Sequence, residues 1–167
     1  IGAVKHFLRS RAINLLEHSN MILEMLDFCL KHNVFVFDGV FYWQQQGTAM
    51  GTSLAPTYAN LMMGWWEEVS IWTEVNQDTL NHIILWVRFI DDLFILWDRG
   101  RMELEKFILN LDNNDFNLRF TYEISDVLIT FLDTEVYIEN GTLCLRYTGS
   151  RPVAIVSYML IVGILRN

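Results

Sequence analysis

Asp91 and Asp92 stand side by side in WVRFIDDLFILW (Trp86 to Trp97), where Arg88 is the only other charged residue. Adjacent carboxylates repel each other and lose solvation among apolar neighbours. In a hairpin turn such a pair acts as a turn former that accepts backbone hydrogen bonds. Its chemical use is different: Mg²⁺ takes one or two carboxylates and completes its shell with water and substrate phosphates. Carboxylates held still by a packed hairpin suit two-metal phosphoryl transfer, in which ions roughly 3.5–4 Å apart activate the attacking oxygen and stabilise the leaving one.

A second candidate is QGTAMGTSLAPTYAN, Gln46 to Asn60. Gly47 and Gly51 let the backbone approach a flat or phosphorylated ligand with no Cβ in the way. The stretch is not a P-loop, since no G-K-[ST] follows. Taken alone, it is equally a small-residue loop before a helix. Soft-metal chemistry finds no support: Cys29 and Cys144 make no C-x-x-C pair, and His6, His18, His32 and His82 have no H-x-x-x-H spacing. That usage excludes a disulfide framework and suits a reducing compartment.

The elements that must position these residues follow from periodicity and turn chemistry. Residues 1–18 read as an amphipathic helix, and residues 20–32 as a second, with Ser19 as N-cap and Ile22, Met25, Leu26, Cys29 and Leu30 on one face. VFVFDGVFYW is a β-hairpin turning at Asp38-Gly39. After the glycine loop, Ser53 as cap and Pro56 in the first turn open a helix. Its buried stripe is Leu54, Tyr58, Leu61, Met62 and Trp65. IILWVRFIDDLFILW is a strand pair with the aspartates at or next to its turn. A charged helix spans about Met102 to Leu111, LRFTYEIS is a strand, and LITFLDTEVYIENGTLCLRYT gives strands with an Asn140-Gly141 turn. Trp65, Trp66 and Trp86 are placed in the core, and Arg88 against a phosphate or a carboxylate. The order predicts an α+β domain, an antiparallel sheet with helices on one face.

Composition bounds the rest. The 167 residues are 52% hydrophobic, enough for one ordinary core. The net charge of −8 weighs against nucleic-acid binding, which draws on Lys and Arg. No signal peptide is visible, and the apolar run Val153 to Leu165 is shorter than the roughly 20 residues that span a bilayer, so no membrane partner is expected.

Read in order, the motifs resemble a reverse transcriptase of the Penelope-like retroelement family. The likeness is carried by Gln44 with Gly47-Thr48-Ala49-Met50-Gly51-Thr52, Ala55-Pro56, Tyr58-Ala59-Asn60-Leu61, Arg88-Phe89-Ile90-Asp91-Asp92 and Trp97. It continues through Phe120-Thr121, Glu123, Ser125, Ile129 and Phe131-Leu132-Asp133, covering about residues 1–144. The resemblance implies a right-hand polymerase palm, ferredoxin-like, with part of the fingers. It implies an RNA-directed DNA polymerase that joins a dNTP to a primer 3′-hydroxyl on an RNA or DNA template, using two Mg²⁺ ions. Asp91 and Asp92 would be the catalytic and metal-binding pair, Asp91 the more direct ligand. Gln46, Gly47, Met50, Gly51 and Asn60 would contact nucleotide and template, and Phe131, Leu132 and Asp133 the primer end. Nuclear or cytoplasmic localisation follows from the same likeness.

The match has two departures. The family's third carboxylate sits on a strand preceding the first helix, and no residue here takes its place; Asp38 is better explained as a turn residue. After Leu145 the sequence leaves the family pattern. The expectation is therefore a partial reverse transcriptase domain over 1–147, truncated at both ends, followed by a divergent apolar tail over 148–167. Its metal site would be incomplete, and the alternative reading is a catalytically inactive retroelement remnant.

Overall fold

A computed structural model describes residues 1–10, 17–45, 48–49, 51–149 and, through the backbone alone, 159–165. The chain is mixed α+β and divides into two compact units, residues 1–69 and 70–167.

In the first unit, helices α1 (Gly2–Ser10), α2 (Ser19–Lys31) and α3 (Ala55–Trp66) share a small core. Val4, Leu8 and Leu26 are buried at its centre, with Ile22, Leu23, Leu30, Leu54, Tyr58 and Leu61 packed around them. The α2 seam thus runs through Ile22, Leu23, Leu26 and Leu30, while Met25 and Cys29 of the expected face are exposed. The reason is that only a narrow i, i+4, i+8 stripe meets the neighbouring helices, and residues 25 and 29 lie beyond it. Ser19 is the first helical residue and not the cap; His18 holds the N-cap position and makes no side-chain cap bond. Leu54 likewise precedes α3 without a side-chain cap, so Ser53 does not cap it either, and Pro56 sits in the first turn as predicted. On α3 the stripe Leu54, Tyr58, Leu61, Met62 and Trp65 is half-buried, and the fully buried residues are Met63 and Trp66. Residues 11–16 of the expected first helix lie outside the described residues.

Between α2 and α3, β1 (Val34–Phe37) and β2 (Val40–Trp43) form a two-stranded hairpin. Asp38 and Gly39 both have positive φ, at 50° and 74°, as a two-residue turn matched to strand twist requires. Asp38 is thereby a turn residue. Every residue of the two strands is exposed.

The second unit follows a π turn (Glu67–Ile71) and one short helix, α4 (Gln77–Leu80), capped by the Asn76 side chain accepting from the Thr79 N–H at 2.8 Å. Strands β3 (Ile83–Phe89) and β4 (Asp92–Trp97) pair antiparallel. Helix α5 (Arg101–Asp112) leads to β5 (Phe120–Ser125), and β6 (Leu128–Phe131), β7 (Thr134–Glu139) and β8 (Thr142–Tyr147) form a separate antiparallel meander. The last strand, β9 (Met159–Leu165), is supplied by the segment that the sequence sets apart as an apolar tail.

β9 lies between β4 and β5 and runs parallel to both, giving the order β3-β4-β9-β5. The expectation of an all-antiparallel sheet is corrected at this point. Parallel central strands are buried on both faces and read as continuous apolar runs, which suits MLIVGIL. β4 shows the same character: all six of its residues are buried. One face of β4 meets α5, where the Trp97 and Phe107 rings stack at 5.6 Å. Its other face, through Phe94 and Leu96, joins Ile129, Val136, Phe131 and Ile138 of the meander. The expected single sheet covered by helices on one face is, in the second unit, a helix on one face and a second sheet on the other.

Candidate functional site

Asp91 and Asp92 sit at the tip of the β3–β4 hairpin, where Phe89 pairs with Asp92 and the two turn residues are Ile90 and Asp91. Ile90 has φ of 54°. For a β-branched residue the left-handed region is a true outlier, costing of order 1–3 kcal/mol and persisting only where the surroundings over-determine it. The surroundings here are specific: Arg88 Nη1 donates to the Ile90 carbonyl at 2.9 Å, and the arms are locked by β4's buried Leu93, Phe94 and Ile95. At roughly 1.5–3 kcal/mol for each large apolar side chain buried, these residues outweigh the turn strain.

The two carboxylates differ in surroundings. Asp91 is half-buried in the turn, whereas Asp92, the first residue of β4, is 6% exposed. Strand alternation puts Asp92 on the face of Phe94 and Leu96, toward the β6–β7–β8 meander. Its Oδ1 has no hydrogen-bond partner among the described residues. Burial pushes the Asp92 carboxyl above its ordinary pKa, and the negative charge of Asp91 adds to the shift. A buried, unpaired carboxylate oxygen beside a second carboxylate is short of positive charge. A divalent cation taking one or two carboxylates, with water and phosphate oxygens for the rest, fits that donor set. Among the described residues no group of three or more His, Cys, Asp or Glu side chains comes together to hold a metal. The strand beside β4 contributes Met159 to Leu165, which contain no carboxylate.

The remaining predicted residues fall in three places. Gln46, Gly47 and Met50 lie outside the described residues. Gly51 and Asn60 belong to the first unit: Gly51 has φ of 88° in the turn before α3, and Asn60 is exposed on α3. Phe131, Leu132 and Asp133 belong to the second unit with the aspartates. They do not form one strand. Phe131 ends β6, and Leu132-Asp133 is the β6–β7 turn, with Leu132 at φ of 55°. Thr148 ties that turn by donating through its backbone N–H at 2.9 Å and its hydroxyl at 3.0 Å to the Asp133 carbonyl. The Phe131 ring lies 5.6 Å from Phe94, two residues along β4 from Asp92. The structure therefore unites the aspartate strand and the Phe131 hairpin in one apolar cluster.

Sequence reading missed the Ile90 conformation and the Arg88 brace. Arg88 was visible as the one cation near the aspartates, but nothing in the sequence marks an isoleucine for positive φ. Of the tryptophans assigned to the core, Trp66 is fully buried, while Trp86 is half-buried and edge-on to Trp72 at 5.5 Å. Comparison with known protein families, curated proteins and solved structures finds no match to this chain. Among the described residues no helix is long and apolar enough to cross a membrane.

Proposed function

We propose that the chain carries the palm region, with part of the fingers, of an RNA-directed DNA polymerase resembling those of Penelope-like retroelements. The observation that carries this reading is the Asp91-Asp92 pair at the tip of a braced hairpin, with Asp92 buried and lacking a partner for Oδ1. The ordered motifs from Gln44 to Asp133 support it. Asp91 and Asp92 would hold Mg²⁺, which when bound would lower the charge of the triphosphate and favour attack by the primer hydroxyl. The β3–β4 packing holds the carboxylates in place, and Arg88 fixes the turn. Template, primer and dNTP are the proposed partners.

A second reading is a catalytically inactive remnant. It is favoured by one observation: no third ligating side chain joins Asp91 and Asp92 among the described residues. Primer extension on an RNA template with Mg²⁺, with and without Asp91→Asn, separates the two. The polymerase reading expects extension by the wild type, or by the chain with its natural flanking sequence, and a loss of at least about a hundredfold in the variant. Extension unaffected by Asp91→Asn removes the assignment, and silence in both forms leaves the remnant.

A further inference from the structure

In the β1–β2 hairpin every residue of Val34–Phe37 and Val40–Trp43 is exposed, and a lone two-stranded hairpin is at best marginally stable in water. Its hydrogen-bond phase fixes what the outer edges offer. The two-residue turn makes Phe37 and Val40 a bonded pair. In the same phase, the Gln44 N–H donates to the Asn33 carbonyl at 2.9 Å. Alternation then turns the N–H and C=O of Val34 and Val36 outward on β1, and those of Phe41 and Trp43 outward on β2.

Natural sheet edges are protected by charge, proline or a bulge. β3 holds Arg88 and an irregular register between Ile83 and Leu85, β5 holds Glu123, and β8 holds Arg146. The uncharged β6 lies against β5 and β9. β1 has none of these protections: VFVF carries no charge and no proline, and its register is unbroken. On β2 the Trp43 indole is committed to the Lys31 carbonyl, to which it donates at 2.6 Å.

We propose that the outer edge of β1 is a self-association site, at which two copies of this chain pair antiparallel about a two-fold axis at Phe35 to form a four-stranded sheet. Val34 of each copy exchanges both backbone bonds with Val36 of its mate, and the two Phe35 residues stand opposite each other. Phe35 already stacks on Tyr42 at 5.5 Å, so the pairing extends one aromatic ladder across all four strands. The same register keeps the two Asp38 carboxylates about 20 Å apart, beyond the screening length. Two chains of net charge −8 thus meet where neither carries a charge. The five aromatic residues of the hairpin are 43–75% exposed, leaving roughly 600 Å² open at about 200 Å² for each ring. Edge pairing covers part of that, less than the roughly 800 Å² per partner of a standard interface, which makes the dimer weak and reversible. The site goes beyond the polymerase reading and uses neither the aspartates nor a nucleic acid.

The test is sedimentation equilibrium of the full chain from about 2 to 200 μM, the range in which a weak dimer dissociates. Val36→Pro removes one outward N–H without touching a bond inside the hairpin, and should weaken the dimer at least about tenfold. Val36→Thr keeps that N–H and should stay within about threefold of wild type. In a Cys29→Ser, Cys144→Ser background, Phe35→Cys should give a disulfide-linked dimer on mild oxidation and Phe37→Cys should not, because only position 35 faces itself. A wild type that is monomeric throughout, leaving the edge to some other strand, overturns the proposal. So does equal dimerisation by the two Val36 variants, or equal cross-linking at positions 35 and 37.

Discussion

At the scale of single residues, Asp92 sets a pH dependence opposite in sign to that of a salt-bridged carboxylate. Its pKa is raised in the folded state by burial and by Asp91, so the fold binds the proton more tightly than the unfolded chain does. The stability it allows is complete below its unfolded value and is lost as pH rises through its folded value. Asp92→Asn is therefore expected to stabilise the protein at neutral pH, with the difference closing as pH falls toward the ordinary carboxylate range. Denaturant unfolding of both proteins from acid to neutral pH measures it. A divalent cation should act in the same direction: Mn²⁺ at 100 times its dissociation constant would add about 2.7 kcal/mol to the wild type and far less to Asp92→Asn. An equal response from both proteins would place the ion elsewhere. Much of this was legible in the sequence, because two acids amid apolar residues stand out. The strained turn was not, since propensity argues against Ile90 at φ of 54° and only the packing of both arms holds it there.

The connection between α5 and β5 shows what one side chain contributes to an element. Asn114 donates to the Leu111 and Leu118 carbonyls at 2.7 and 3.0 Å and accepts from the Phe116 and Leu118 N–H groups, both at 3.0 Å. Asp112 adds to the same join by accepting from the Phe120 N–H at 2.8 Å. At roughly 0.5–1.5 kcal/mol for each net hydrogen bond, Asn114→Ala should lower stability by about 2–4 kcal/mol in thermal or denaturant unfolding, without changing the sheet order. The β1–β2 hairpin makes the converse case. Phe37 and Phe41 are 70% and 75% exposed, so replacing both by Thr should change stability by no more than about 0.5 kcal/mol. The same change should raise the soluble fraction on heating, because it shrinks an apolar patch. Hairpins were the most legible elements: Asp38-Gly39 and Asn140-Gly141 turn where the dipeptides say, since positive φ is written in residue type. Caps and helix faces were read less well. Met25 and Cys29 fit the α2 periodicity, yet tertiary neighbours decide which apolar residues are covered.

For the whole molecule, β9 sets the architecture of the second unit. β4 and β5 do not pair with each other; both pair with β9. The sequence shows an apolar run there but not its destination, because periodicity does not report which strands a segment will join or in which direction. Gly163, opposite Ile95 and Ile124 in the two ladders, is a sharp place to test this. A proline at a central strand position removes a ladder hydrogen bond and clashes. Gly163→Pro should cost about 3 kcal/mol or more and open the second unit to limited proteolysis, while α1, α2 and α3 keep their helical signal. Unchanged protease resistance would mean that β9 does not sit between β4 and β5. The same topology dictates a schedule. On the ribosome β3, β4 and β5 leave the exit tunnel well before Met159–Leu165, so the nascent chain waits with the β9-pairing edges of the apolar β4 and the more polar β5 unpaired. At roughly 5–20 residues per second, the interval between β5 and β9 lasts about 2–8 seconds. During that interval a chaperone, or the edge of another nascent chain on the same message, competes with the chain's own final strand.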